Sequence, residues 1–95
     1  MRVFSGAFSG RFNNMRMIDA DREHSVRCLQ LYLTVPEAME FRKELDRLLV
    51  DAEASEHFHV HSEDASREVS CSLVTPHKLA QGSYTDLERK AFEEP

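Results

Sequence analysis

In the stretch His57-Phe58-His59-Val60-His61, three imidazoles alternate with two apolar side chains. A period of two is that of a half-buried β-strand, whose successive side chains point to opposite faces. Phe58 and Val60 then face a core, and the histidines stand in a row on the outer face. No other stretch of the chain concentrates reactive side chains in this way.

A second alternating run follows from Glu68 to Val74. Val69, Cys71 and Leu73 take the core face, and Glu68, Ser70 and Ser72 the outer one. The short polar link Ser62–Ser66 makes the pair an antiparallel hairpin. Upstream, Thr34 and Glu37 form a capping box, with Pro36 in the first turn where its missing N–H is harmless. Ala38, Phe41, Leu45, Leu48, Leu49 and Ala52 recur at three- and four-residue steps and give one apolar face, so residues 35–53 are expected to be helical. Before the helix, Leu29, Leu31 and Leu33 alternate with Cys28, Gln30 and Tyr32, which predicts a strand from Val26 to Leu33 with its leucines inward. Arg16 to Asp19 reads as a short strand and Ala20 to His24 as a turn. Pro76 ends the last strand, residues 77–83 read as a loop, and a second capping box, Thr85 with Glu88, opens a short helix through Phe92. The expected architecture is a small single-domain α+β fold in the order (β)β-α-β-β-α. It has one antiparallel-rich sheet and the long helix packed on one face.

Residues 15–95 would form that domain. Residues 1–14 differ from it: Phe4-Ser5-Gly6-Ala7 and Phe8-Ser9-Gly10-Arg11 make a short repeat. Glycine within each unit opposes a helix. The segment reads as a flexible leader, or as an edge segment whose phenylalanines cover the core.

Composition narrows the function. Of 95 residues, 41% are hydrophobic and 31% charged, the balance of a folded globular chain. The net charge is −5, unevenly spread: residues 1–35 carry +2 and residues 36–95 carry −7. An acidic body is suited to a basic protein partner and poorly suited to nucleic acid. Cys28 and Cys71 fall on opposite faces of their strands, which argues against a disulfide between them. Reduced thiols, together with the absence of any signal-like or membrane-spanning apolar stretch, lead us to expect a cytoplasmic protein that does not engage membranes.

The outer face limits the chemistry further. Neighbouring histidines two apart on a strand can share a metal ion, and imidazole suits a transition metal. His57 and His61 lie ~13 Å apart along a regular strand, so a site built on His57, His59 and His61 needs a further ligand such as Cys28 or Glu68. No nucleophile elbow, phosphate loop or paired-cysteine motif is present, so the chain is expected not to be an enzyme and to need no cofactor. Tyr32 and the histidines could stack bases, but the lysines and arginines that neutralise phosphates are missing beside them.

The run from Leu29 to Leu49, followed by Glu56-His57-Phe58-His59-Val60 and then an alternating strand, resembles the strand–helix–His-x-His–strand pattern of a family of small bacterial immunity proteins of polymorphic toxin systems. The resemblance covers about half the chain. It departs from that pattern after the histidines, where Ser62 to Ser66 stand in place of the family's Trp and Gly. The resemblance implies a non-catalytic inhibitor that binds another protein. The reading is therefore a protein-binding domain that uses His57, His59, His61, Tyr32 and Gln30 against another protein or a second copy. A metal-binding domain on the three histidines is the alternative.

Overall fold

The computed structural model of the chain describes Phe12 and residues 14–93. The chain is an α+β protein, and the described residues form seven elements: β1 (Met17–Asp19), β2 (His24–Val26), α1 (Val35–Val50), β3 (Phe58–His61), β4 (Glu68–Cys71), α2 (Pro76–Gln81) and α3 (Asp86–Glu93). They fall into two compact units. One comprises the described residues up to Gln30 together with those from Val74 onward, and the other Leu31–Leu73.

In the first unit, β1 and β2 form an antiparallel hairpin with Ile18 opposite Ser25. The Asp19 side chain makes the turn: its Oδ1 accepts from the backbone N–H of Asp21 and of Arg22, each at 3.1 Å. Such side-chain-to-backbone bonds are why Asp favours turns. α3 packs on this hairpin and buries Ala91. Arg16 donates from Nε to the Ala91 carbonyl at 3.0 Å. Phe92 meets Tyr84 and Phe12 edge-on, with ring centroids 5.0 and 5.2 Å away. Apart from Phe12 and Asn14, the segment read as a leader or edge lies outside the described residues.

In the second unit, the Thr34–Glu37 capping box is formed in both directions, at 2.9 and 3.2 Å, and α1 runs from it to Val50. The helix lies against β3. Leu48, Phe58 and Val60 are buried together, with Phe41, Cys71 and Leu73 packed around them. Phe41 meets Phe58 edge-on at 5.8 Å. β3 and β4 are antiparallel, pairing Phe58 with Cys71, His59 with Ser70, Val60 with Val69 and His61 with Glu68. Alternation along β3 is therefore as expected: Phe58 and Val60 buried, His59 and His61 exposed.

Three expectations are corrected. First, the strands make two separate two-stranded sheets, because the stretch Val26–Leu33 supplies no shared central strand. Strand structure stops at Val26, and Leu29, Leu31 and Leu33 are exposed. Thr34 is already the helix cap, so no loop remains to turn the leucine run back beside β3; connections between a strand and a helix usually take 2–6 residues. Second, residues 77–83 are not a loop throughout. Thr75 caps α2 by accepting from the Lys78 N–H, Pro76 occupies its first turn, and Gly82 closes it in the left-handed region at φ 70°. Those are ordinary start and stop signals for a helix. Third, α1 reaches the sheet through Phe41 and Leu48, while Leu45 and Leu49 are exposed. The apolar stripe is wider than a two-stranded sheet can cover.

Among the described residues, no helix is long and apolar enough to cross a membrane.

Among the described residues, Leu48 is the one large side chain with no exposure at all. Leu48→Ala should destabilise by about 2–5 kcal/mol, through lost transfer free energy and the cavity left behind. Leu45→Ala, at an exposed site, should stay below about 1 kcal/mol. Urea denaturation of both variants checks the ranking. Equal losses would overturn this assignment of the helix face.

Candidate functional site

The histidine row stands on the outer face of β3 because Phe58 and Val60 are committed to the core. His57 precedes the strand and continues the row. Its ring meets that of His59 nearly perpendicularly, with centroids 4.7 Å apart, and the His59 and His61 rings are 6.4 Å apart. An edge-to-face contact suits rings with electron-rich faces and positive edges.

The register of the hairpin adds two side chains. Ser70 lies directly opposite His59, and Glu68 directly opposite His61 and diagonal to His59. Glu68 Oε2 is 2.6 Å from His59 Nδ1, and its Oε1 is 3.2 Å from His61 Nε2. One carboxylate thus spans two imidazoles, one per oxygen. Ser70 Oγ is 2.6 Å from His59 Nδ1 and donates to Glu68 Oε2 at 3.0 Å. An ionised carboxylate only accepts, which places the proton of the His59–Glu68 bond on Nδ1. The Ser70 hydroxyl then receives from that N–H and donates to the carboxylate. These contacts hold the Glu68 carboxyl below its ordinary range. The Ser70 hydroxyl bond is the largest cause and the His59 bond the next, with some opposition from desolvation.

This geometry bears on chemistry. A serine–histidine–carboxylate relay needs the base to use one ring nitrogen for the nucleophile and the other for the orienting acid. Here Ser70 and Glu68 both fall on Nδ1 of His59. The trio is a hydrogen-bonded triangle, which fixes side chains without aligning a proton transfer. No group of three His, Cys, Asp or Glu side chains among the described residues could hold a metal ion. His57, His59 and His61 are neighbours in a row and do not converge on a point.

The other residues named from the sequence lie elsewhere. Gln30 and Tyr32 are exposed in the irregular segment before α1, outside both sheets, so strand pairing does not carry them onto the histidine face. Cys28 is exposed, Cys71 is partly buried, and both are free thiols. Burial pushes the Cys71 thiol up from its usual range. From sequence, Glu68 is a candidate further ligand for the histidines and Ser70 only an outer-face residue; their places beside His59 and His61 come from the register. The signal that would have found them is the hairpin register, which the link between the strands does not fix by its length alone.

The link itself is held by Asp64. Its Oδ1 accepts from the hydroxyls of Ser62 and Ser66, both at 2.7 Å, and from the Ser66 N–H at 3.0 Å. The carboxyl is consequently driven far below its ordinary range, first by the Ser66 N–H. Ala65 takes the left-handed conformation at φ 62°. From α1, Glu37 Oε2 accepts the Glu63 N–H at 3.0 Å, which ties the helix start to the hairpin tip.

No protein-family model matches the chain, and no curated protein or solved structure is significantly similar to it.

Two measurements check this site. Glu68 has a lowered carboxyl pKa, so its contribution to stability is present above the ordinary glutamate range and is lost as pH falls through the lowered value. Ser70→Ala should raise the Glu68 midpoint in a carboxyl-carbon NMR titration; an unchanged midpoint would refute the hydroxyl's role. A thiol reagent should modify Cys28 before Cys71 in the native protein, on exposure and on the raised Cys71 thiol. Equal rates in the folded state would contradict the placement of Cys71.

Proposed function

We propose that the chain is a non-enzymatic protein-binding module of the immunity or inhibitor type, which meets its target through the outer face of β3–β4. The observation that carries this reading is the exposed imidazole row braced by Glu68 and Ser70. Side chains already fixed in the free protein lose less freedom on binding, which is where an exposed polar surface gains affinity. Imidazole offers a flat contact area with a polar edge, as interface aromatics do. The −7 charge of residues 36–95 favours a basic target and speeds encounter with it. The pattern shared with small immunity proteins points the same way.

The test is a comparison of wild type with a triple variant, His57→Gln, His59→Gln and His61→Gln. Exposed positions are replaced, so the circular dichroism spectrum should be unchanged. A protein captured from the native host by wild type should be captured at least tenfold less by the variant, the loss expected when a buried contact worth about 1.4 kcal/mol is removed. Equal capture would reject the histidine face as the binding surface. Stoichiometric metal in untagged wild type that is absent from the variant would instead establish the metal-site alternative.

A further inference from the structure

Glu68 determines which nitrogen of each neighbouring imidazole is left open. Its Oε2 and the Ser70 Oγ both meet His59 at Nδ1, each at 2.6 Å. With the carboxylate ionised, a neutral His59 ring carries its proton on Nδ1, and Nε2 keeps its lone pair. At His61 the two nitrogens exchange roles. Its Nε2 lies 3.2 Å from Glu68 Oε1, so the carboxylate favours the proton there and Nδ1 keeps the lone pair. One carboxylate thus sets two adjacent rings in opposite tautomers. The side chains are 44% and 53% exposed, and among the described residues neither remaining lone pair has a protein donor.

We infer that this pair of acceptors seats an arginine side chain of a basic protein partner, with His59 Nε2 and His61 Nδ1 each receiving an N–H of its guanidinium. The inference rests on the proposed function and gives the target its chemistry. Two separate acceptors call for donors held apart on one rigid group. The two rings are 6.4 Å apart and tilted by 35°. Hydrogen bonds of ~2.9 Å from different nitrogens of one planar fork span that scale, whereas an ammonium is a compact point charge.

Charge agrees with this choice. Glu68 keeps its negative charge beside the rings. Arg67, next to it in sequence, donates to Ser66 instead, at 3.4 and 3.5 Å. Lone pairs cannot hydrogen-bond an ionised carboxylate, which also only accepts, so an acidic side chain has no place here.

The probes are two short acetylated peptides that differ only in carrying arginine or lysine. Each is titrated into the full chain at about pH 8, above the ordinary imidazole range, with EDTA present, and binding is followed by NMR shifts. Wild type should prefer the arginine peptide. The double variant His59→Phe, His61→Phe keeps flat rings and the charge of the neutral imidazoles but has no acceptor nitrogens. It should bind the arginine peptide about tenfold more weakly, the scale of a hydrogen bond to a charged group, and lose the preference over lysine. General attraction of a cation to an acidic chain would be unchanged by these substitutions. A second measurement needs no variant: long-range proton–nitrogen NMR spectra of wild type should show His59 protonated on Nδ1 and His61 on Nε2. Equal arginine binding by wild type and the double variant, equal affinity for the two peptides, or reversed tautomers would overturn the inference. Those results would leave the proposed function standing, because capture by the histidine face is tested separately with the glutamine variant.

Discussion

Burial of Leu48 against Phe58 and Val60 is the contact on which the second unit depends. A helix of 16 residues capped only at its start is marginal alone, and a two-stranded hairpin is marginal too. Each supplies the other with an apolar surface. Phe41 extends the contact toward the helix start, and Cys71 and Leu73 close it from the β4 side. Because Phe58 and Val60 are held there, the alternation of β3 turns His59 and His61 to solvent. The exposed histidine row is thus a geometric consequence of the core.

Short-range polar contacts then define what the hydrophobic contact leaves loose. Burial is non-directional and does not by itself set a hairpin register. Asp64 fixes the shape of the link, and Glu37 serves both its own helix cap and the Glu63 N–H at the hairpin tip. The Glu37 carboxyl is held below its ordinary range, chiefly by the Thr34 N–H and further by that of Glu63. Both carboxylates accept backbone N–H groups, so they act in the ionised form. A helix cap and a turn are joined through one side chain, and the register that sets Glu68 beside two imidazoles follows from that turn.

Period and capping made the local structure legible. The two capping boxes, the alternation at Phe58–Val60 and the antiparallel hairpin all follow from spacing within a few residues, and all are formed. What spacing does not carry is the identity of the partner. Leu29, Leu31 and Leu33 show the same alternation as β3, yet only β3 has a neighbour strand and a helix over it. The helix α2 was missed for a different reason. Its Thr75, Pro76 and Gly82 are clear start and stop signals, but they bracket a run too short to show a helical period. Among the site residues, the histidines were legible from sequence. Glu68 is a candidate beside them from sequence too, but which imidazoles it and Ser70 meet follows only from the register.

The arrangement of Glu68 shapes the histidine face. A carboxylate placed between two imidazoles would normally suggest a base under orientation or a ligand set awaiting an ion. Either use needs nitrogen lone pairs directed at a common point. Instead, the Ser70 and Glu68 contacts of His59 both fall on Nδ1, and the Oε1 of Glu68 faces His61, so the carboxylate directs its acceptors across the hairpin from β4 to β3. Interactions across the sheet surface fix these side chains while His59 and His61 stay exposed. Side chains fixed in this way lose less freedom when a partner arrives, which is the physical ground on which the proposed binding role of this face rests.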